Sequence, residues 1–345
     1  MRKSRKGQQV ALGMSGGIDS SIALFLLKKN GFYPVGVSFK INEDNDFKSA
    51  EKICKKYNIP HYIIDHRKEF KNTVVDYFKK ELEKNKTPNP CLFCNKEFKL
   101  KKLVEFAEKR DIPYISTGHY ARVAFNEEKE RYELLKGKDE KKDQSYFLSL
   151  LSNNILERLI LPLGIYTKEK VKEIAKEEEL NFLLEQEQSQ DLCFVGKEST
   201  DEFIEKNIND KPGAIINQEG EKIGEHNGLS HFTIGQRKGI GLAHGPWFVT
   251  GFNKSKNILK VTNDPDSDKL FKRLVRAKNN NFSDLPPKVK GKIRYNQKLS
   301  PARVIKKTKE IVEVEFEKPQ RAVTPGQWLV LYDGEICLGG GEIVK

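Results

Sequence analysis

The chain has 345 residues, of which 37% are hydrophobic, and a formal net charge of +13. This length predicts two or three domains with real cores, and no run of about 18 apolar residues is present that would cross a membrane. Residues 271–345 carry 16 Lys and Arg against 8 Asp and Glu. Such an excess favours a polyanionic partner such as nucleic acid, with a lysine-rich solvated surface as the alternative.

Five unevenly spaced cysteines are not typical of a secreted disulfide framework. The basic residues 1–9 are not followed by the apolar region of a signal peptide. We therefore expect a cytoplasmic protein that makes no membrane contact, and cysteines that are catalytic or bind a metal.

From Val10 to about Thr117, apolar strand patterns alternate with helical patterns. The predicted strands are 10–14, 35–39, 62–64 and 114–117, and the predicted helices are 22–29, 47–57, 70–84 and 96–109. This alternation predicts an α/β fold with a parallel sheet covered by helices. A hairpin is predicted over 122–135, and a helix capped by Thr167 over 167–179.

Near Lys211 the helical patterns give way to short strands, glycines and turns. Predicted strands at 214–217, 222–224, 247–252 and 258–261 indicate a small β-rich domain over residues 206–268. Six more, at 274–277, 290–295, 301–306, 311–317, 328–332 and 336–338, indicate a C-terminal β-barrel over residues 269–345. Residues 1–205 then form the α/β domain.

Residues 15–21, S-G-G-I-D-S-S, join the first predicted strand to a helix. Adjacent glycines let backbone N–H groups approach an anion, and a helix N-terminus favours negative charge. An Asp in such a loop suits a phosphate only if Mg²⁺ stands between them. The loop lacks the lysine of a Walker A motif and the spacing of a dinucleotide fingerprint. It is therefore interpreted as a different kind of phosphate loop.

Two cysteines lie in sequences that suggest chemistry. Cys94 follows the T-P-N-P segment 87–90, whose prolines predict an extended loop, and precedes a predicted helix whose N-terminus would lower the thiol pKa. Cys193 lies in the apolar segment 189–195. Cys54 and Cys337 fall on apolar helix and strand patterns and are expected in the core.

The chain resembles the tRNA-specific 2-thiouridylases, a family of the N-type ATP pyrophosphatase superfamily. The matching blocks occur in order at 13–21, 87–90, 94–97, 117–122, 142–148, 193–194, 233–239, 325–327 and 339–341. The resemblance implies thiolation of C2 of the wobble uridine in certain tRNAs. ATP would adenylate the C2 oxygen and release pyrophosphate, and a protein donor or relay would supply persulfide sulfur.

The resemblance also implies roles for individual residues. Cys193 would carry the persulfide, and Cys94 would either attack it to release sulfide or serve as its general partner, ending in a Cys94–Cys193 disulfide. The ATP and Mg²⁺ residues would be Gly13, Met14, Ser15, Gly16, Gly17, Ile18, Asp19 (through pyrophosphate), Ser20, Ser21, Phe39 and Gly118. The tRNA-contacting residues would be Asn89, Pro90, Cys91, His119, Lys142, Asp143, Gln144, Arg294, Tyr295 and Gln327. A core role for His119 and an exposed strand pair at Arg294 and Tyr295 are the alternatives.

One departure from the family pattern leaves the sulfur chemistry open. Cys91 stands where the family commonly has Asp, which creates Cys91-x-x-Cys94 with Cys193 as a third thiol. Three thiolates can hold a [4Fe–4S] cluster with one open iron, and a structural zinc is a further alternative. A non-catalytic tRNA-binding or sulfur-carrier protein is the alternative from another class. Amidation of a carboxylate would need an ammonia source, and no glutaminase-like segment is visible.

Overall fold

The computed structural model describes residues 7–185, 192–196 and 198–344. Its helices are Ile18–Lys29 (α1), Lys48–Lys56 (α2), Arg67–Phe70 (α3), Asp76–Glu83 (α4), Pro90–Cys94 (α5), Leu100–Glu108 (α6), Ser145–Leu148 (α7), Asn153–Arg158 (α8), Lys168–Glu177 (α9) and Thr200–Asn207 (α10). Its strands are Gln9–Gly13 (β1), Tyr33–Lys40 (β2), His61–Asp65 (β3), Tyr114–Ser116 (β4), Ala121–Asn126 (β5), Arg131–Lys136 (β6), Leu159–Ile160 (β7), Gly213–Ile216 (β8), Lys222–His226 (β9), Phe248–Asn253 (β10), Ile258–Thr262 (β11), Phe271–Lys278 (β12), Lys288–Lys292 (β13), Ser300–Lys307 (β14), Ile311–Arg321 (β15), Trp328–Asp333 (β16) and Ile336–Glu342 (β17).

The chain divides into two compact units. The first unit comprises Met1–Val74, Cys91–Gly196 and Gly334–Cys337, and the second comprises Val75–Pro90, Lys197–Asp333 and Leu338–Lys345. None of the helices in the described ranges combines the length and apolar character that crossing a bilayer demands.

The first unit contains a five-stranded sheet in the order β3-β2-β1-β4-β7, with every pair parallel. The central residues of β1, from Val10 to Leu12, are fully buried, because helices cover both faces of such a sheet. The predicted α/β fold with a parallel sheet is confirmed. Because β1 and β4 are neighbours, the loops after Gly13 and Ser116 leave the same edge of the sheet.

The helical segment around Cys94 differs from the prediction. A helix begins at Pro90 rather than near Asn95, since proline is well tolerated at a first helical position. It continues as a π-helical segment, Asn95–Lys99, and then as α6. Residues 86–89 are outside any helix, as predicted, but the prediction of an extended loop from Pro90 to Cys94 is wrong, because these residues form a helix.

Two further predictions for the first unit are confirmed. The hairpin pairs β5 with β6 from Ala121↔Lys136 to Asn126↔Arg131. Helix α9 follows the cap residue Thr167, whose side chain accepts a hydrogen bond from the Lys170 backbone N–H at 3.2 Å.

The second unit is rich in β-structure, as predicted. One sheet has the order β10-β11-β8-β9, and its strands enclose a cluster that includes Ile215, Val249 and Leu259. The C-terminal strands pair in the order β12-β15-β14-β13-β16-β17. The strand predicted over 290–295 ends at Lys292, so Arg294 and Tyr295 lie in a turn and not in an exposed strand pair.

Candidate active site

The phosphate loop, residues 15–21, joins β1 to α1. Gly16 has a φ of 82°, which favours glycine, and a Cβ added there would lie 3.2 Å from the Ala50 backbone nitrogen. Gly17 is the extended N-cap of the 12-residue helix α1. The Ser20 and Ser21 hydroxyls each donate to the Gly17 carbonyl at 3.0 Å. These serines therefore brace the turn, and the helix N-terminus provides the surroundings that an anion requires.

Asp19, on the first turn of α1, is held by two groups that sequence reasoning missed. Its Oδ1 accepts hydrogen bonds from Lys168 Nζ at 2.6 Å and from the Tyr120 hydroxyl at 2.7 Å. Burial and the Asp19 charge raise the pKa of Tyr120 far above its usual range, so Tyr120 stays a donor. The Asp19 carboxylate is thus oriented and charge-balanced before any nucleotide binds.

A cavity of about 440 Å³ opens beside the phosphate loop, with walls made only by the first unit. Predicted site residues that line it are Gly13, Met14, Ser15, Asp19, Ser20, Phe39, Cys94, Gly118, His119, Gln144 and Cys193. Gly16, Gly17, Ile18 and Ser21 belong to the loop and α1 without contributing to that wall. Asp19 and Cys94, 75 positions apart in the numbering, therefore line one cavity.

Aromatic side chains form one side of this cavity. Phe98 makes edge contacts with Phe39 and Phe70, with ring centroids 6.2 and 5.0 Å apart. Phe194 lies against Phe70 at 6.1 Å, and the Cys193 carbonyl accepts a hydrogen bond from Asn42 Nδ2 at 3.1 Å. These contacts place Cys193 at the cavity, whereas residues 189–191 of its predicted segment lie outside the described residues.

Desolvation raises the pKa of three thiols: Cys94 and Cys193, which line the cavity, and Cys91. Cys94 is buried, and that burial raises the pKa of its thiol to about 12, although Lys99 opposes the shift. The predicted lowering of the Cys94 pKa by a helix N-terminus is therefore wrong, because Cys94 ends a helix instead of preceding one and its thiol is desolvated. Desolvation of the sulfur also raises the pKa of Cys91 and of Cys193, two residues that are otherwise exposed.

Lys99 is the cation that these groups share. It lowers the pKa of the Cys91, Cys94 and Cys193 thiols against the larger effect of desolvation. Lys99 ends the π-helical segment and lines the cavity next to Phe98. π-helical turns occur often at functional sites, and this one presents a charged and an aromatic side chain from consecutive residues to one space.

The candidate metal ligands differ in how well they suit a metal. Mg²⁺ commonly uses one or two carboxylates together with substrate phosphates and water, and Asp19 within the phosphate loop suits that arrangement. In the part of the chain that the structure describes, no three His, Cys, Asp or Glu side chains are placed to hold one metal ion. The three thiols as arranged therefore do not form a site for zinc or for a cluster.

The loops after β4 and β6 bring further predicted residues to the site. His119 Nδ1 lies 2.7 Å from Thr117 Oγ1, and burial together with Lys99 lowers the pKa of His119 to about 3. Gln144 accepts from the Tyr120 backbone N–H at 2.9 Å and lines the cavity. Asp143 is buried and accepts from Gly137 N–H and from the Ser145 hydroxyl, at 2.9 Å each. Lys142 is exposed. Of these, His119 and Gln144 reach the cavity, while Asp143 braces its own loop.

Of the remaining predicted tRNA residues, Cys91 belongs to the first unit, and Asn89, Pro90, Arg294, Tyr295 and Gln327 belong to the second. Gln327 Nε2 donates to the Thr87 carbonyl at 3.0 Å, and Trp328 Nε1 donates to the Asn89 carbonyl at 3.4 Å. Arg294 Nη2 donates to the Arg321 and Ala322 carbonyls at 3.0 and 2.6 Å. Gln327 thus supports the segment that ends at Asn89 and Pro90, and Arg294 supports a turn. Tyr295 lies in the turn next to Arg294.

A parallel-sheet domain with a phosphate loop and thiols around one cavity defines an enzyme class that couples nucleotide chemistry to sulfur. Three family models match the chain in order. They are described as a tRNA methyl transferase HUP domain at residues 8–197, a tRNA methyl transferase PRC-barrel domain at 201–263 and an aminomethyltransferase beta-barrel domain at 272–343.

Relatives match over nearly the full length. A protein of Oceanobacillus iheyensis named tRNA-specific 2-thiouridylase MnmA is 39% identical over 99% of this chain and 96% of its own length. Proteins with the same name are 38% identical in Clostridium acetobutylicum, over 97% of this chain and 99% of theirs, and 37% identical in Clostridioides difficile, over 98% of both. The chain belongs to the tRNA-specific 2-thiouridylase family.

Proposed function

We propose that the protein is a tRNA-uridine 2-sulfurtransferase that converts a wobble uridine to 2-thiouridine with release of AMP and pyrophosphate. The observation that carries this proposal is the single cavity lined by Asp19 of the phosphate loop and by Cys94 and Cys193. Activation of an oxygen and delivery of a sulfur must meet at one carbon, and this cavity is where both sets of groups converge.

The activation step uses the phosphate loop. A uracil C2 carbonyl is a poor electrophile, and its oxygen attacks the α-phosphate of ATP so that the bond to pyrophosphate breaks. The backbone at Gly16, Gly17 and the start of α1 binds the departing phosphates. Asp19 would hold Mg²⁺, which neutralises charge on the phosphate oxygens when bound. Phe39 and Gly118 border the space for the adenylate, and the base must leave its stack to enter.

In the sulfur step, Cys193 and Cys94 have different roles. Cys193 is exposed and accepts the persulfide from a donor or relay protein. The Cys94 sulfur attacks the Cys193 sulfur of that persulfide, which forms the Cys94–Cys193 disulfide and releases hydrosulfide. Hydrosulfide adds to C2, the C2–O bond breaks, and AMP leaves with the former C2 oxygen. Formation of the disulfide supplies the two electrons that reduce the persulfide sulfur to hydrosulfide. An external thiol reductant must therefore reduce the Cys94–Cys193 disulfide before the next cycle.

We assign tRNA binding to residues around the cavity and to the β-rich parts of the chain. His119, Gln144 and Lys142 act from the first unit, and Asn89, Pro90 and Cys91 contact the base, as the family resemblance implies. Residues 206–268 and the basic residues 269–345 act as two further domains that bind the tRNA backbone, after a catalytic domain over 1–205. Asp143, Arg294 and Gln327 contribute by supporting their loops.

The [4Fe–4S] alternative rests on the spacing of Cys91 and Cys94. It requires the thiols of Cys91, Cys94 and Cys193 to adopt an arrangement other than the one described above. Anaerobic purification with iron and sulfide analysis decides between the routes. An iron-free protein that thiolates tRNA from a persulfide donor supports the persulfide route, and loss of activity on removal of a stoichiometric cluster overturns it.

The proposed function is tested with tRNA that contains a wobble uridine, ATP and a persulfide donor. We expect AMP, pyrophosphate and 2-thiouridine from the wild type, with pyrophosphate release dependent on tRNA. Cys193→Ser should abolish 2-thiouridine while AMP formation continues. Cys54→Ser serves as the matched control, because Cys54 is buried on α2 with Ala50 and Ile53 and does not line the cavity. ATP-independent tRNA binding with no AMP formed would instead support a non-catalytic tRNA-binding protein.

A further inference from the structure

Lys168 is a buried cation next to the phosphate loop, and the roles assigned so far do not use it. Its side chain is 5% exposed, and its ammonium binds Asp19 Oδ1, whereas the Asp19 side chain is 36% exposed. The pair is therefore partly buried, and an ammonium that is itself buried is costly to desolvate, whereas apolar side chains often replace such a group without loss of stability. Its presence at this position therefore points to a functional reason.

The two donors to Asp19 are fixed from one segment, residues 139–144. Asp139 Oδ2 accepts the Lys168 backbone N–H at 2.9 Å, which anchors the first residue of α9. The Gln144 backbone N–H donates to the Tyr120 carbonyl at 2.8 Å, and Gln144 Oε1 accepts the Tyr120 N–H at 2.9 Å. Lys168 and Tyr120, the two donors to Asp19, are therefore both held by the loop that also carries the exposed Lys142.

We propose that Lys168 and Tyr120 are positioning residues of the phosphate site: they orient Asp19 through one carboxylate oxygen, and Lys168 balances its charge so that ATP can approach. The inference rests on the proposed use of ATP. An uncompensated carboxylate at the start of α1 would repel the triphosphate unless Mg²⁺ came between them. Removal of Lys168 should therefore weaken binding of magnesium-free ATP much more than binding of Mg·ATP.

The test is calorimetric titration of the full-length chain with ATP in EDTA and, separately, with ATP in excess Mg²⁺. The measured quantity is the dissociation constant of ATP in EDTA divided by that of Mg·ATP. For Lys168→Met we expect this ratio to be at least about tenfold higher than in the wild type, because one unit charge within a few ångströms of the triphosphate is lost. Lys168→Arg, which keeps the charge, should stay within about threefold. Lys170→Met is the matched control on the same helix, since Lys170 is exposed and pairs with Glu173 and Glu177.

The Tyr120 hydroxyl carries no charge, so its role is tested through the orientation of the Asp19 carboxylate. Tyr120→Phe removes one donor to Asp19 without a change in charge. We expect the ratio of dissociation constants to stay near the wild-type value, and the rate of AMP formation at saturating Mg·ATP to fall about tenfold. An unchanged rate would overturn the positioning role of Tyr120.

A second pair of variants covers the case in which Lys168→Met does not fold. Asp19→Asn and the double variant Asp19→Asn/Lys168→Met remove the carboxylate charge alone or the whole ion pair. Asp19→Asn should bind magnesium-free ATP at least about tenfold more tightly than the double variant. Equal affinities in this pair, or a wild-type ratio in Lys168→Met, would overturn the inference about Lys168. Failure of the wild type to bind either form of ATP would overturn the proposed function instead.

Discussion

Gly118 offers a sharp test of how closely the loop after β4 packs against the phosphate loop. A Cβ at residue 118 would lie 2.8 Å from the Asp19 carbonyl carbon, 2.9 Å from the Asp19 oxygen and 2.9 Å from the Ser20 nitrogen. Ordinary contact begins near 3.4 Å, so the backbone of α1 or of residue 118 must shift by about 0.6 Å. For Gly118→Ala we expect overpacking to lower the free energy of unfolding by about 1–3 kcal/mol. Pyrophosphate release should slow by about 10- to 100-fold, because displacements of this size misalign reacting groups.

The assay measures tRNA-dependent pyrophosphate release at saturating ATP, and chemical denaturation measures stability on the same preparations. Gly251→Ala is the matched control, because no atom lies within 4 Å of the added Cβ and its φ is outside the left-handed region. If Gly118→Ala releases pyrophosphate at the wild-type rate and keeps wild-type stability, then the close approach to Asp19 does not constrain the site. If it loses stability but not rate, then the shift is taken up away from the phosphate loop.

Three further predictions follow from the pKa shifts. Alkylation of Cys94 by iodoacetamide should rise about tenfold per pH unit from pH 7 to pH 10 without a plateau, whereas a plateau near pH 8 would contradict its raised pKa. Lys99→Met should raise the pKa of Cys193 further and slow its alkylation at pH 8 about three- to tenfold, and Lys96→Met, at the same helix, should not. Because the pKa of His119 is lowered to about 3, unfolded chains take up a proton below about pH 6.5 and folded chains do not. The free energy of unfolding should therefore fall by about 1–2 kcal/mol between pH 7 and pH 5. His119→Gln should not show this loss, and an equal loss in that variant would mean that His119 is not its source.

The parts of the fold that depend on local patterns were predictable from the sequence. The apolar run before Gly13, the paired glycines and the alternation of strands and helices predicted β1, the phosphate loop and the parallel sheet. Thr167 predicted the start of α9 because capping is a local property of one turn. The matching blocks of the resemblance included the phosphate loop, Cys94 and Cys193, and residues of all three line one cavity.

The parts that depend on tertiary contacts were not predictable in the same way. Nothing near Lys168 in the sequence indicates that its ammonium binds Asp19, 149 positions away, although a lysine at the first position of a helix is an unusual choice against the helix dipole. The pKa of Cys94 was predicted in the wrong direction, because neither the helix start at Pro90 nor the burial of the thiol was visible in the sequence. The turn at Arg294 was predicted as a strand, because the apolar pattern continues through Ile293 while the pairing ends at Lys292.

The raised thiol pKa values bear on which sulfur reaches the base in the proposed sulfur step. A thiol with a pKa near 12 is almost entirely protonated at neutral pH, so Cys94 in the resting enzyme is a weak nucleophile toward the adenylated base. Attack by Cys94 itself at C2 would leave the base bound to the enzyme, and burial of the thiol disfavours that reaction. The exposed Cys193 can accept sulfur from a donor, and the released hydrosulfide is small enough to reach the base inside the cavity. Lys99 is the charge that can stabilise the sulfur anion when it forms there. Because Lys99 also opposes the raised pKa of Cys94, the same charge can stabilise the Cys94 thiolate that must attack the Cys193 persulfide.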